Sequence, residues 1–288
     1  MELIVDGWFH EKNSMWPHQA TSLEVSEVLA SEKSKYQDIL LFKNQAFGTV
    51  LVLDGAIQLT EKDERVYNEN IVHIPIMSHP NPKRVLIIGG GDGGALREAV
   101  KHPSVEEVVM CEIDERVIEL SKKYLPGLSA GFSHPKAKVV IGDAVQYIKE
   151  CADCSFDVIV SDTSDPVGPA EALFEKDHYT LLKRVLRPDG ILCSQAGCIW
   201  FDLEIIQKMM KFSRELFPTV DYATFNVPTY PYGALGFLLC CKSNEINFKE
   251  PLRTLSHKDL DELDISVYSQ EYHRGVFLTV PRYIKNAM

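Results

Sequence analysis

The segment FDVIVSDTSDPVGPAEALF, residues 156–174, ends an apolar run in two aspartates three positions apart, Asp162 and Asp165. A carboxylate at the end of a buried strand can take a proton from an amine. A second one beside it can hold another ammonium through a charge-assisted hydrogen bond. Spacing alone also allows a plainer role for Asp165, an Asx turn ahead of Pro166. Three more carboxylates follow apolar runs upstream: Asp92 in GGGDGG, Glu112 in CEID and Asp143 in GDA. The first loop satisfies G-x-G-x-x-G through Gly89, Gly91 and Gly94, directly after a strand-like run and before a helix-like one. Asp92 would repel a pyrophosphate there, so a nucleoside without phosphates is the better guest. Glu112 can accept both hydroxyl hydrogens of a ribose, and Asp143 can accept from an exocyclic amine such as adenine's. Together they have the layout of an enzyme of the S-adenosylmethionine type. A sulfonium alkylates an electron-rich acceptor, and Asp162 and Asp165 point to a cationic one that must lose a proton before it attacks. The aromatic loop PTYPYG, Pro228 to Gly233, offers tyrosine faces that attract ammonium groups, although an ordinary hairpin loop has the same composition.

These residues need a frame that brings strand ends together. The first sixty residues hold short β-like runs, including Ile39–Phe42, Thr49–Leu53 and a third after the Asp54–Gly55 turn. No helix there is long enough for a βαβ unit, so residues 1–62 are expected to form a small N-terminal antiparallel β domain. In TEKDERVYNENIVHIPIMSH the period changes: Val66, Asn70, Ile71 and Ile74 share a helical face, with Pro75 disturbing its later part. From Arg84 strand-like and helix-like runs alternate, and RPDG turns into the strand ILCSQ. The early strands are continuously apolar, as when helices cover both faces of a parallel sheet. Residues 63–288 are therefore expected to form a doubly wound, mostly parallel, Rossmann-like α/β sheet of the methyltransferase type. Ligands bind such sheets beyond the carboxyl ends of the strands. The loop DPVGPAEALF is expected to order over them, since proline and glycine leave it few helical contacts until Glu171.

Bulk properties narrow the partners. The chain has 288 residues, 45% of them hydrophobic, enough for a full core. A formal net charge of -11 disfavours nucleic acid. It suits a cationic ligand, although solubility explains many acidic proteins. The first residues resemble no secretion signal, and no window has the ~20 apolar residues of a membrane helix. Seven scattered cysteines fit a reducing, cytoplasmic setting better than a disulfide framework. Cys151 and Cys154 form a C-x-x-C without the second pair a zinc site needs, so no metal is expected.

The motifs VLIIGGGDGGALREAVKH, EVVMCEIDERVIELSKKYLP, SDTSDPVGPAEALF and PTYPYGALGFLLC resemble those of the aminopropyltransferase family, the polyamine synthases. The resemblance runs through nearly the whole chain, including MWPHQATSLEV and KYQDILLF. It implies transfer of an aminopropyl group from decarboxylated S-adenosylmethionine to putrescine, giving spermidine and 5'-methylthioadenosine. It makes Asp162 the proton acceptor and assigns Asp165, Tyr67, Tyr230 and Trp16 to putrescine. Gln37, Asp92, Glu112, Asp143 and Ala144 match its donor site. It further implies a homodimer with no metal and no cofactor beyond the co-substrate. One position departs: Asn68 stands where Gln or His is expected against the donor. The amide is kept one methylene shorter, so an altered donor affinity is expected. Asn70 likewise stands where an apolar residue is usual.

Competing readings are a spermine synthase, which needs a longer acceptor pocket, and a putrescine N-methyltransferase, which needs a different donor loop. Asp92 favours the ammonium of a decarboxylated donor and opposes the carboxylate of ordinary S-adenosylmethionine. A non-catalytic polyamine or nucleoside binder would have no need of Asp162. An NAD-linked dehydrogenase is opposed by Asp92 and by the want of a convincing hydride-transfer histidine.

Overall fold

The structure is a computed structural model that describes residues 3–166 and 168–288. The N-terminal part folds as two small antiparallel sheets. The first joins β1 (Ile4–Val5), β2 (Trp8–Glu11) and β3 (Thr21–Glu24). The second joins β4 (Glu27–Lys33), β5 (Asp38–Asn44), β6 (Gly48–Leu53) and β7 (Ala56–Thr60). β5 and β6 are near-continuous apolar runs because both their faces are covered. Leu40, Phe42, Val50 and Val52 pack with Phe9 and Leu23 of the first sheet, while Ile39, Leu41 and Leu51 pack with Val117, Leu120, Leu125 and Leu128.

Helix α1 (Glu64–Ser78) follows and is buried along most of its length. The disturbance expected at Pro75 does not occur, and the helix runs through it to Ser78. Pro75 forfeits one backbone hydrogen bond, but the flanking Ile74 and Ile76 are fully buried, and their packing holds the segment helical.

The remaining chain builds a seven-stranded sheet. Its members are β8 (Arg84–Gly89), α2 (Gly94–Val100), β9 (Glu107–Glu112), α3 (Glu115–Tyr124), β10 (Ala137–Ile141), α4 (Ala144–Glu150) and β11 (Phe156–Asp162). Then come α5 (Lys176–Val185), β12 (Leu186–Gln195), α6 (Leu203–Leu216), β13 (Thr219–Phe225) and β14 (Leu235–Cys241). The spatial order is β10-β9-β8-β11-β12-β14-β13, parallel from β10 to β12, with β14 and β13 antiparallel. Alternate residues of β8 serve opposite cores: Val85 and Ile87 on one face, Leu86 and Ile88 on the other. Each such fully buried side chain contributes about 1.5–3 kcal/mol. The turn expected at RPDG is a bulge within β12. Leu186 pairs with Phe156 and Ile191 with Val158, so residues 187–190 stand opposite Asp157 alone.

The order in which strands are added reverses between the parallel neighbours β8 and β11, and the sheet is built outward to either side. The carboxyl ends of these two strands therefore open a crevice. Over it lies a 3-10 turn, Gly168–Phe174. That turn starts earlier than Glu171, because a proline near a helical start sacrifices only an amide that would be unpaired anyway. Val167, in the same loop, lies outside the described residues. Three short helices complete the chain: α7 (His257–Glu262), α8 (Gln270–Val276) and α9 (Arg282–Ala287). Among the described residues no helix is long and apolar enough to cross a membrane.

Candidate active site

The centre of the crevice is set by backbone. Gly89 ends β8 at φ +79°, and a Cβ there would lie 2.1 Å from the Asp162 carbonyl oxygen. The Gly90 amide donates to that same oxygen at 3.0 Å. Only glycine permits this approach, and it draws the end of β11 onto the first loop. The side chain of Asp162 is then met from α1: the Tyr67 hydroxyl donates to Oδ1 at 2.6 Å. The other oxygen, Oδ2, is sealed from solvent without a hydrogen-bond partner. Burial and the negative charge of Asp92 push the Asp162 carboxyl up to about 7, against the lowering effect of the Tyr67 hydrogen bond. Burial, followed by the charge of Asp162, holds the Tyr67 hydroxyl well above its ordinary range, so it stays a donor.

The residues expected to hold a donor lie on the side of β9 and β10. Glu112 closes β9, accepts from the Asp114 amide at 2.8 Å, and is pushed up to about 7 by burial. Asp92 accepts from the Gly94 amide at 2.8 Å, and burial raises its carboxyl as well. Asp143 caps α4 by accepting from the Val145 amide at 2.7 Å, and Ala144 is the first residue of that helix. Gln37 reaches over from the N-terminal part and donates to Asp114 Oδ2 at 2.8 Å. Asn68 donates to Glu64 Oε2 at 2.9 Å, which leaves its Oδ1 buried and without a partner. Its amide lies flat against Gly94. Glu64 is fixed in turn by both terminal nitrogens of Arg97, each at 2.9 Å. Arg97 also binds Glu98, which meets His73, which meets His102. This buried chain clamps α1 to α2 and so holds Tyr67 and Asn68 against the glycine loop. Breaking one member of such a buried set costs about 3–5 kcal/mol.

The residues expected to hold the acceptor lie beyond Asp162. Asp165 accepts from Gln195 Nε2 at 3.1 Å. The Asx turn that spacing also allows would be completed by Val167, which lies outside the described residues. Burial and the charge of Asp202 raise Asp165 to about 6. Tyr230 is anchored by donating to the Gln58 carbonyl at 2.6 Å, with its ring 6.1 Å from that of Tyr67. Trp16 is nearly buried, and its Nε1 has no partner.

One cavity of about 470 Å³ joins the two halves. Trp16, Gln37, Tyr67, Asn68, Asp92, Glu112, Asp143, Ala144, Asp162, Asp165 and Tyr230 all line it. So do residues the motifs did not single out: Gln58, Gln195, Asp202, and Ala170, Ala172 and Leu173 from the 3-10 turn. Gln195 was reachable by the strand-end argument, since it closes β12 as Asp162 closes β11. Among the described residues no group of three or more His, Cys, Asp or Glu side chains is placed to hold a metal ion. The geometry can hold a nucleoside on one side of Asp162 and a cation on the other, with an unsatisfied carboxylate oxygen between them.

Known proteins share this arrangement of chain. Residues 64–250 match the model of the spermine/spermidine synthase domain, and residues 7–61 match that of the spermidine synthase tetramerisation domain. The chain is 51% identical over 276 residues to a spermidine synthase of Schizosaccharomyces pombe, covering 96% of this chain and 92% of that one. It is 49% identical over 278 residues to a spermidine synthase of Dictyostelium discoideum, covering 96% of each. Among solved structures, a spermidine synthase in complex with the transition-state analogue AdoDATO superposes with a TM-score of 0.89 at 32% identity, covering 100% of this chain and 97% of that one. The spermidine synthase of Thermotoga maritima gives 0.87 at 32% identity, covering 97% and 93%. A match through both parts of the chain, at half identity to whole enzymes and on one backbone trace, is that of a family member: the chain belongs to the spermine/spermidine synthase family.

Proposed function

We propose that this protein transfers the aminopropyl group of decarboxylated S-adenosylmethionine to putrescine. The observation that carries the reading is the unpartnered Oδ2 of Asp162, set where the two halves of one cavity meet. Putrescine arrives as a dication, and one ammonium gives its proton to Asp162. The freed nitrogen lone pair attacks the aminopropyl carbon next to sulfur. A C–N bond forms, the C–S bond breaks, and its electron pair returns to sulfur. The sulfonium becomes the neutral thioether of 5'-methylthioadenosine, and spermidine leaves. No covalent enzyme intermediate is needed, so acceleration comes from positioning and from proton removal. Tyr67 keeps Asp162 oriented, Tyr230 and Trp16 wall the alkyl chain, and Asp165 holds the far ammonium. Asp92, Glu112, Asp143, Ala144, Gln37 and Asn68 hold the donor.

The relatives at 51% and 49% identity are spermidine synthases, which supports putrescine over a longer acceptor. Asp92 supports the decarboxylated donor over S-adenosylmethionine, and so opposes N-methylation. Each donor is to be incubated with putrescine or with spermidine and the products weighed by mass spectrometry. Spermidine and 5'-methylthioadenosine from the decarboxylated donor with putrescine support the reading. N-methylputrescine, or no product from any pair, overturns it.

We further place the domain boundary between residues 62 and 63, in the turn between β7 and α1. All seven cysteines are free, which supports the reducing cytoplasm. For assembly we propose a homodimer. The tetramerisation-domain match and the exposed Val5, Trp8 and Val28 of the N-terminal sheets support an oligomer. Sedimentation equilibrium should give twice the chain mass of 32.5 kDa. Four times that mass replaces the dimer by a tetramer, and a single chain mass removes both.

A further inference from the structure

The acceptor end of the cavity holds a second carboxylate that the mechanism above does not use. Asp202, at the start of α6, lines the cavity together with Asp165, Gln195 and Cys198. Its Oδ2 accepts from the Cys198 amide at 2.7 Å. The carboxylate is seated on Gly197, whose φ is +71°. A Cβ at Gly197 would lie 2.7 Å from Asp202 Oδ2 and 2.8 Å from Asp202 Cβ. A side chain at position 197 would therefore occupy the place the Asp202 carboxylate now takes.

Two acidic residues side by side do not by themselves make a site. An independent observation comes from Gln195, which is 5% exposed. Its Nε2 is spent on Asp165 Oδ1 at 3.1 Å, which fixes the amide. Its Oε1 is sealed and has no partner, and the Gln195 side chain lines the same cavity. A buried acceptor left open costs about 1–3 kcal/mol unless a donor fills it. The partners of the two carboxylates are neutral as well: the Gln195 amide for Asp165 and the Cys198 amide for Asp202. Burial raises both carboxyl groups, and the charge of Asp202 contributes to the rise at Asp165. Among the described residues the end of the cavity thus presents two acidic groups and one unpartnered acceptor, and no cationic side chain lines it. A primary ammonium has three N–H donors and one positive charge, which matches that set.

We propose that Asp202 is a specificity-determining residue for the acceptor: with Asp165 and Gln195 Oε1 it reads a second, distal ammonium, so that the enzyme selects a diamine over a monoamine of the same length. This rests on the aminopropyl-transfer reading. It does not make Asp202 a catalytic residue, since the attacking nitrogen lies at Asp162.

The test compares putrescine with 1-aminobutane, which keeps the four-carbon chain and lacks the distal nitrogen, at saturating decarboxylated S-adenosylmethionine. Wild type, Asp202→Asn and Asp202→Glu are assayed. Wild-type turnover of putrescine tests the aminopropyl-transfer reading by itself, and without it both that reading and this proposal fall. Given turnover, Asp202→Asn should raise KM for putrescine about tenfold or more, while kcat falls less than threefold. The preference for putrescine over 1-aminobutane in kcat/KM should fall at least tenfold. Asp202→Glu, which keeps the charge, should recover most of that preference. Binding of 5'-methylthioadenosine by calorimetry reports whether the variants stay folded. An Asp202→Asn that binds the nucleoside as wild type does and keeps its preference overturns the proposal. Equal losses for diamine and monoamine, or no recovery in the glutamate variant, assign Asp202 a structural role and overturn it too. Should the asparagine variant not fold, the preference is read from Asp202→Glu and Gln195→Met, and an unchanged preference in the latter has the same meaning.

Discussion

Asp162→Asn should lower turnover about 10²–10⁴-fold, the usual contribution of a positioned general base, while donor binding should largely persist. The amide keeps the size of the carboxylate, and its oxygen still accepts from Tyr67, so the pocket is conserved and only the base is lost. Wild type should show the same group in its pH dependence. Oδ2 can take a proton from putrescine only when the carboxylate is ionised. Its pKa in the empty enzyme is raised from the ordinary value to about 7. The sign follows: kcat/KM falls as pH drops through about 7, because the base is then already protonated, and it levels above that. In Asp162→Asn this limb should vanish from whatever activity remains. Stopped-flow or discontinuous assays of 5'-methylthioadenosine formation between pH 5 and 9 give both quantities. Unchanged turnover in the variant, or a surviving limb near pH 7, removes Asp162 as the base.

How far this site was legible in the sequence depends on what kind of order each residue expresses. The carboxylates at Asp92, Glu112, Asp143 and Asp162 end runs whose apolar character is continuous, so the parallel sheet and its carboxyl ends could be read together. The glycine loop was legible because backbone crowding leaves no alternative at Gly89. Tyr67 and Trp16 gave no such local signal, and Tyr230 gave only the aromatic character of its loop. They come from a helix, an N-terminal loop and a late loop, and only the fold carries them to one cavity. The resemblance supplied them, whereas the periodicity did not. Asp202 escaped because it looks like an ordinary residue at a helix start. Its placement depends on the absent side chain of Gly197 and is a purely tertiary fact. Pro75 shows the opposite failure. The local rule against proline in a helix was correct as a cost of about 3 kcal/mol, but the burial of the isoleucines flanking Pro75 outweighs it. The N-terminal strands not named from the sequence were hard to read for a related reason: β1 to β3 are short, and the seven-residue β4 is largely exposed with little alternation to read.

Replacing Asp92 by asparagine should collapse donor discrimination by roughly a hundredfold, the scale on which one repelled or unpaired charge in a protected site acts. The substitution is chosen because Asn can still accept from the Gly94 amide, which keeps the loop in place while the charge is removed. Decarboxylated S-adenosylmethionine carries a sulfonium and an ammonium. Ordinary S-adenosylmethionine adds a carboxylate at the position an anionic Asp92 opposes. With Asn at that place the first donor loses an attraction and the second a repulsion, so their affinities converge from both sides. Calorimetric Kd values for the two donors measure this directly, and a ratio within threefold of wild type would sink the account of selectivity. The same variant has a second consequence that a merely structural change would not produce. After burial, the Asp92 charge is the largest cause of the raised Asp162 carboxyl. Removing that negative neighbour favours the ionised form of Asp162 and lowers its pKa. The acid limb of kcat/KM should therefore move below pH 7, so that Asp92→Asn is less impaired relative to wild type at pH 6 than at pH 8. Weaker donor selectivity together with an acid-shifted limb assigns Asp92 both tasks: it chooses the cationic donor, and its charge raises the pKa of the base at Asp162.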